Sequence, residues 1–330
     1  MTEQHHHHHG HGHTHGAVDP SIAATDRGIW VVKWSFVGLC VTALLQVFVV
    51  WISGSVALLA DTIHNFGDAA TALPLWIAFL LARRPASRRF AYGYGRAEDL
   101  AGVVIVGLIL LSAVVAGYQA VGRLLDPQPL AYPAVVAAAA IVGFIGNEAV
   151  AVFRLRVGRQ IHSAALIADG HHARVDGWTS LAVLASAIGT WMGYPLLDPI
   201  VGLLITAAIG RIVWQSAVLV FTRMLDGVDP EIVEEIRHGV AHAEGVEKVS
   251  EVRARWLGHR LHAEVNVTVH PDISVSQGHT VAVEARHQLL HHLPYLENAI
   301  IHIDPTHASG EEHHRIAVHT HDGLPAHAHS

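Results

Sequence analysis

Ala60-Asp61-Thr62-Ile63-His64-Asn65-Phe66-Gly67-Asp68 and Ala168-Asp169-Gly170-His171-His172-Ala173-Arg174-Val175-Asp176 share one pattern, A-D-x-x-H-x-x-x-D. Each copy sits inside a long apolar stretch. Residues four apart lie on one face of a helix, about one turn from each other. His64 with Asp68, and His172 with Asp176, are therefore expected to present an imidazole and a carboxylate toward a common point. Two such helices side by side offer two nitrogens and two oxygens, enough for a closed tetrahedral metal site, and both atom types bind zinc at about 2.0–2.2 Å. An Asp at the centre of a membrane helix costs about 2.5–3.5 kcal/mol on insertion scales, so such residues need partners or a hydrated path. A polar clamp between helices is the bland alternative, but one clamp does not need the same pattern twice. Asp61 and Asp169, three residues ahead of each His, are candidate orienting or rim groups. His171 points about 100° away from His172 on a helix and is left out of the site.

The wider composition agrees with a membrane setting. The 330 residues are 51% hydrophobic and only 15% charged, against about 25% charged in a typical soluble chain. The deficit lies between Gly28 and Met224, which divides the chain into a membrane domain and a smaller soluble one. The net charge of -7 is modest, and no basic tract has the footprint of nucleic-acid binding. A single cysteine, Cys40, excludes a disulfide framework and a cysteine metal cluster. Histidine is the outlier, with 29 residues, eight of them in the first 16 and seven between His307 and His329. The first tract differs from an affinity tag in alternating with Gly and Thr after five His, and the tail repeats that style. Segments 1–28 and 306–330 are expected to be disordered His-rich tails that collect metal ions weakly.

Six apolar stretches are long enough to cross a bilayer, which takes about 20 helical residues. They run near Ile29–Ile52, Ser55–Leu81, Leu100–Val121, Tyr132–Phe153, His162–Met192 and Leu197–Phe221, giving a six-helix transmembrane domain over 29–224. The first is too long for a cleavable signal peptide and lacks the small-residue cleavage site. Arg83, Arg84, Arg88, Arg89 and Arg96 follow the second span, Arg154, Arg156 and Arg159 the fourth, and Arg223 the sixth. The opposite connections carry only Arg123. Excess basic residues mark the cytoplasmic side, which places both termini there. In the fourth span Asn147 is expected to bond between helices, while Glu148 stays open.

The segment 226–305 reads as a small cytoplasmic α+β domain. Asp229-Pro230 supplies an N-cap and a first-turn proline for a helix to about His242. Val246–Trp256 and Leu261–Val269 alternate as strands, Ser274 caps a second helix to about His292, and Ala299–Ile303 is a last strand. The order αββαβ predicts a two-layer sandwich.

These features together resemble the cation diffusion facilitator family from Ile29 to Pro305. The matching segments are SGSVALLADTIHNFGD, YGYGRAEDLAG at the third span, HSAALIADGHHARVD, and LLDPIVGLLI at the sixth. The resemblance implies a homodimeric, proton-coupled exporter of divalent metals in a cell (inner or plasma) membrane. It works by alternating access and carries a metallochaperone-like cytoplasmic domain. His-Asp in both pairs is the version associated with zinc, transported and regulatory, with cobalt, cadmium or nickel as other candidates. No catalytic cofactor is implied. In the cytoplasmic domain the resemblance assigns metal binding at the dimer interface to His262 in LHAEV, His279 in SQGHTVAV, and His302 and Asp304 in IHIDP. His302 and Asp304, two apart on a strand, face one side. A fourth family His falls near Ser250, where none exists, and Glu251 is the candidate substitute. The loop RRFAYGYGR has Phe90 and Tyr94 where some members place metal ligands, so no metal is expected there. Its arginines are expected to anchor helix ends to lipid phosphates or to the partner protomer.

Three rival classes fare worse. An intramembrane metalloprotease needs H-E-x-x-H or its like, which is absent. A membrane haem protein uses paired His but has no use for Asp four residues later. A metal-gated channel shares the ligands and differs in ignoring a pH gradient.

Overall fold

The computed structural model describes residues 20–53, 72–125, 133–194, 197–309, 316–319 and 327–329. The first copy of the repeated pattern, with Asp61, His64 and Asp68, lies outside these residues, as does the histidine tract of the N-terminal tail. Six helices make the apolar part: α1 (Pro20–Ser53), α2 (Ala72–Ala82), α3 (Arg96–Leu125), α4 (Pro133–Gln160), α5 (Ala164–Trp191) and α6 (Leu197–Met224). Three stretches are both long and apolar enough to cross a bilayer, Ile22–Leu45, Arg96–Gly122 and Ala134–Gln160.

The helices bury one apolar stripe each and turn another outward. Val31, Leu75, Phe79, Ile105, Ile109, Leu166 and Ile209 close the interior with no exposure. Leu44, Phe48, Leu111, Val114, Leu204 and Trp214 stand exposed along the outside. A band of that size on a soluble monomer would aggregate, and a bilayer is its natural cover. α4 and α5 pack most closely of all. A Cβ on Gly170 would lie 2.8 Å from the Leu155 side chain and 3.0 Å from its backbone nitrogen, so only glycine admits this approach.

Two boundaries differ from the sequence reading. α1 begins at Pro20, inside the segment expected to be a tail, and carries Thr25 and Asp26 toward the soluble domain. α4 continues to Gln160, so Arg154, Arg156 and Arg159 are helical rather than part of a loop. The C-terminal segment also holds a short antiparallel ribbon, β4 (Ile316–His319) with β5 (His327–His329), where no regular structure was expected.

The soluble domain follows the expected order: α7 (Pro230–Ala241), β1 (Lys248–Leu257), β2 (Arg260–Val269), α8 (Val275–His292) and β3 (Leu296–Pro305). Asp229 caps α7 through its side chain, and Ser274 with Gln277 forms a reciprocal capping box on α8. β1 and β2 form an antiparallel hairpin, and β3 joins β2 in parallel after the α8 crossover. Ile236, Val240, Leu261, Val265, Leu289 and Leu293 fill the layer between helices and sheet. His302 and Ile300 stand on the opposite, uncovered face.

The β1–β2 turn is lodged in the end of the helical domain. Gly258 adopts φ 66, and a Cβ there would lie 2.7 Å from the Gly95 carbonyl oxygen. His259 is buried; its Nδ1 lies 2.7 Å from Glu98 Oε2 and its Nε2 3.0 Å from Thr25 Oγ1. The Gly258 amide donates to Asp99 at 3.3 Å, and Arg260 donates to Thr25 Oγ1 and the Ala82 carbonyl at 3.3 Å each. Arg223 reaches the His162 and Gly258 carbonyls and stacks 4.2 Å over the Trp256 ring. Arg96 pairs with Asp226 beside it.

Candidate metal site

Ser163 opens α5: its hydroxyl accepts the Leu166 amide at 3.0 Å, one of the donors a helix start leaves over. From there Asp169, His172, Asp176 and Ser180 fall three or four residues apart and are all buried. Four polar groups thus share one inward stripe, as the helical period requires. His171 is only half-buried, on another side of the helix. His172 Nδ1 and Asp176 Oδ2 are 3.9 Å apart, too far for a hydrogen bond. Two ligand bonds of about 2.0–2.1 Å span at most about 4.2 Å, so one ion fits between these atoms. Thr179 and Ser180 hydroxyls donate to the Asp176 carbonyl at 2.8 and 3.2 Å, holding the turn beneath the carboxylate.

α4 supplies what surrounds the stripe. Asp169 is fully buried and lies 3.0 Å from Arg154 Nη1, itself 1% exposed. The contact lacks hydrogen-bond alignment, so the two are held as an ion pair. Arg154 had been read as a cytoplasmic-side loop residue, and its partnership with Asp169 was missed. The signal was present, because a buried carboxylate in an apolar helix demands a counter-charge. One turn back along α4, Glu148 takes a two-point bond from Arg174, 2.7 Å to Nη2 and 3.2 Å to Nε. Asn147 is buried where α4 meets Gly177, one residue past Asp176. Its amide nitrogen has no hydrogen-bond partner among the described residues, so the expected interhelical bond is not seen there.

In the soluble domain His302 Nε2 and Asp304 Oδ1 lie 3.0 Å apart. Glu251, Asn266 and His302 stand in one row across the three strands, with the Asn266 amide donating to Glu251 at 3.2 Å. His262 is elsewhere: it is in register with Asn298, four residues before His302, and its Nε2 lies 3.0 Å from Glu297 Oε2. Burial pushes the Glu297 carboxyl up, but the His262 bond and the Arg260 charge at 2.6 Å outweigh this and hold it below the usual range. His279 is exposed on α8. Among the described residues no three His, Cys, Asp or Glu side chains form a metal cluster. His302 and Asp304 fit a metal as two ligands, and Glu251 is the nearest further carboxylate across their row. The Phe90 and Tyr94 rings pack 4.8 Å apart, and Arg83 pairs with Asp26 at 2.5 Å.

A helical membrane domain with a buried His-Asp pair and a small α+β domain on one end defines a membrane transporter of cations. The profile of the cation efflux transmembrane domain matches residues 32–225, and that of the cation efflux protein cytoplasmic domain matches 228–306. The chain belongs to the cation efflux, or cation diffusion facilitator, family, whose members are membrane transporters of divalent metal cations and not enzymes. A probable cation efflux system protein of Mycobacterium tuberculosis is 54% identical over 88% of this chain and 87% of its own. The manganese efflux system protein MneP of Bacillus subtilis is 27% identical over 79% of this chain and 90% of its own. A solved MamM cytoplasmic domain in its manganese form, 23% identical, matches 23% of this chain and 99% of its own at a TM-score of 0.23.

Proposed function

We propose that this transporter exports zinc from the cytoplasm in exchange for protons, by alternating access through a tetrahedral site of His64, Asp68, His172 and Asp176. The observation that carries the reading is the buried His172–Asp176 pair, with donor atoms 3.9 Å apart on the inward stripe of α5. The same pattern at His64 and Asp68 supplies the second pair, and two nitrogens with two oxygens suit a tetrahedral zinc ion. Metal ligands must be deprotonated, so zinc entry displaces protons and proton entry displaces zinc. Imidazole titrates near pH 6.5, which lets the gradient across a cell membrane drive the exchange. Six spans with both termini in the cytoplasm follow from the apolar stretches and the arginine asymmetry. The uncovered sheet face with His302, Asp304 and Ile300 is the surface on which two copies would pair, and metal bound there would regulate transport.

The test is uptake into inside-out vesicles, comparing zinc, cobalt, cadmium and manganese with and without a proton gradient. Zinc accumulation that rises with the gradient is expected, and Asp176→Ala is expected to abolish it while leaving a folded dimer. Undiminished zinc flux by that variant would sink the site. Flux that ignores the gradient would make the protein a channel, and a manganese preference would overturn the zinc reading.

A further inference from the structure

α7 carries two exposed histidines, His238 and His242, four residues apart at its C-terminal end. Their ring centroids are 4.4 Å apart. His242 Nδ1 lies 2.8 Å from the His238 carbonyl oxygen. A carbonyl oxygen can only accept, so Nδ1 carries the proton of the neutral ring, leaving Nε2 with a free lone pair. A backbone carbonyl holding the far nitrogen is the arrangement that orients metal-binding histidines in general.

The spacing can be read as a bite angle. An ion bonded to imidazole nitrogen at about 2.0–2.1 Å lies about 3.2 Å from the ring centroid, so two rings at right angles are about 4.5 Å apart, and at the tetrahedral angle about 5.2 Å. The observed 4.4 Å matches the right angle, the geometry of nickel and copper rather than zinc. The pair also stands at the negative end of the α7 dipole, with His242 as the C-cap. Neighbouring Arg237 is directed to Glu234 and the Val249 carbonyl. The His287–His291 pair on α8 has nearly the same spacing, 4.5 Å, but among the described residues no hydrogen bond fixes either ring.

We infer that His238 and His242 form a surface chelate for a divalent ion of right-angled preference, nickel or copper, with water in the remaining positions. The site is separate from the transport pair and does not depend on zinc being the exported ion.

With 29 histidines in the chain, the test must resolve single residues. The full-length protein in detergent, stripped of metal, is modified with diethylpyrocarbonate over a nickel titration, and each histidine is followed by peptide mass spectrometry. Nickel is expected to slow modification of His238 and His242 together, at concentrations that leave exposed His270 reactive. In His238→Gln, the nickel needed to protect His242 is expected to rise about 100-fold, because a chelate has become a single ligand. Unchanged protection of His242 in that variant would overturn the inference. So would reactivity of the pair at nickel concentrations that already protect His270. The metal-free modification rate of His242 serves as the folding control and is expected to stay the same in the variant.

Discussion

The Arg154–Asp169 pair is the residue whose loss should be felt most in the helical domain. Both groups are out of contact with solvent, and removing one member of a buried pair typically costs about 3–5 kcal/mol because the other charge stays behind. Arg154→Ala is therefore expected to lower the thermal unfolding midpoint of the detergent-solubilised protein sharply. Replacing both residues by leucine should recover much of it, and a double variant as unstable as the single would argue that Asp169 does more than neutralise Arg154. The residue scale is also where sequence reading succeeded and failed for one physical reason. His172 and Asp176 were legible because a helix fixes the angle between positions four apart. Arg154 was not, because nothing in a linear pattern says which neighbouring helix an Asp will meet.

At the scale of elements, β3 shows the same boundary. Alternation placed His302 and Asp304 on one face, and the structure brings them to 3.0 Å. It could not supply register between strands. Four residues of offset along β3 separate His262's partner position, Asn298, from His302, about 13 Å at strand spacing. His262 instead braces Glu297, with a consequence for pH. A carboxyl held below its unfolded value adds stability that is fully present above the unfolded value and is lost as pH falls through the folded one. The urea midpoint of the soluble domain, followed by hydrogen exchange of β3 amides, is expected to fall below about pH 4, where unfolded glutamate begins to protonate. Glu297→Gln should flatten that fall, and an identical acid profile in the variant would dismiss the bracing role. At the alkaline end the sign reverses. Burial, and then the bond to Glu235, pushes the Tyr295 phenol up to about 12. Its contribution is present below about pH 10 and is lost as pH rises toward 12.

At the scale of the whole molecule, the element order αββαβ and the division into two domains were readable from apolar period and capping residues. Their junction was not, because it is made by a two-residue turn with no motif of its own. His259 is buried between Glu98 and Thr25, from α3 and α1, so His259→Ala leaves a buried carboxylate without its closest partner. Faster proteolysis at the 225–229 connection is expected, together with a lower unfolding midpoint. A variant as resistant as the parent would show that Arg96, Arg223 and Arg260 hold the domains together without the imidazole.

The lodged turn also limits how such proteins can be recombined. A chimaera that takes its membrane half from one relative and its soluble half from another would bring the Gly258–His259 corner against a foreign first turn of α3. The natural cut for cut-and-paste engineering therefore does not lie at the obvious linker near Asp226. It must travel with Thr25, Gly95, Glu98 and Asp99, so that donor and recipient inherit the lock and its key from the same parent.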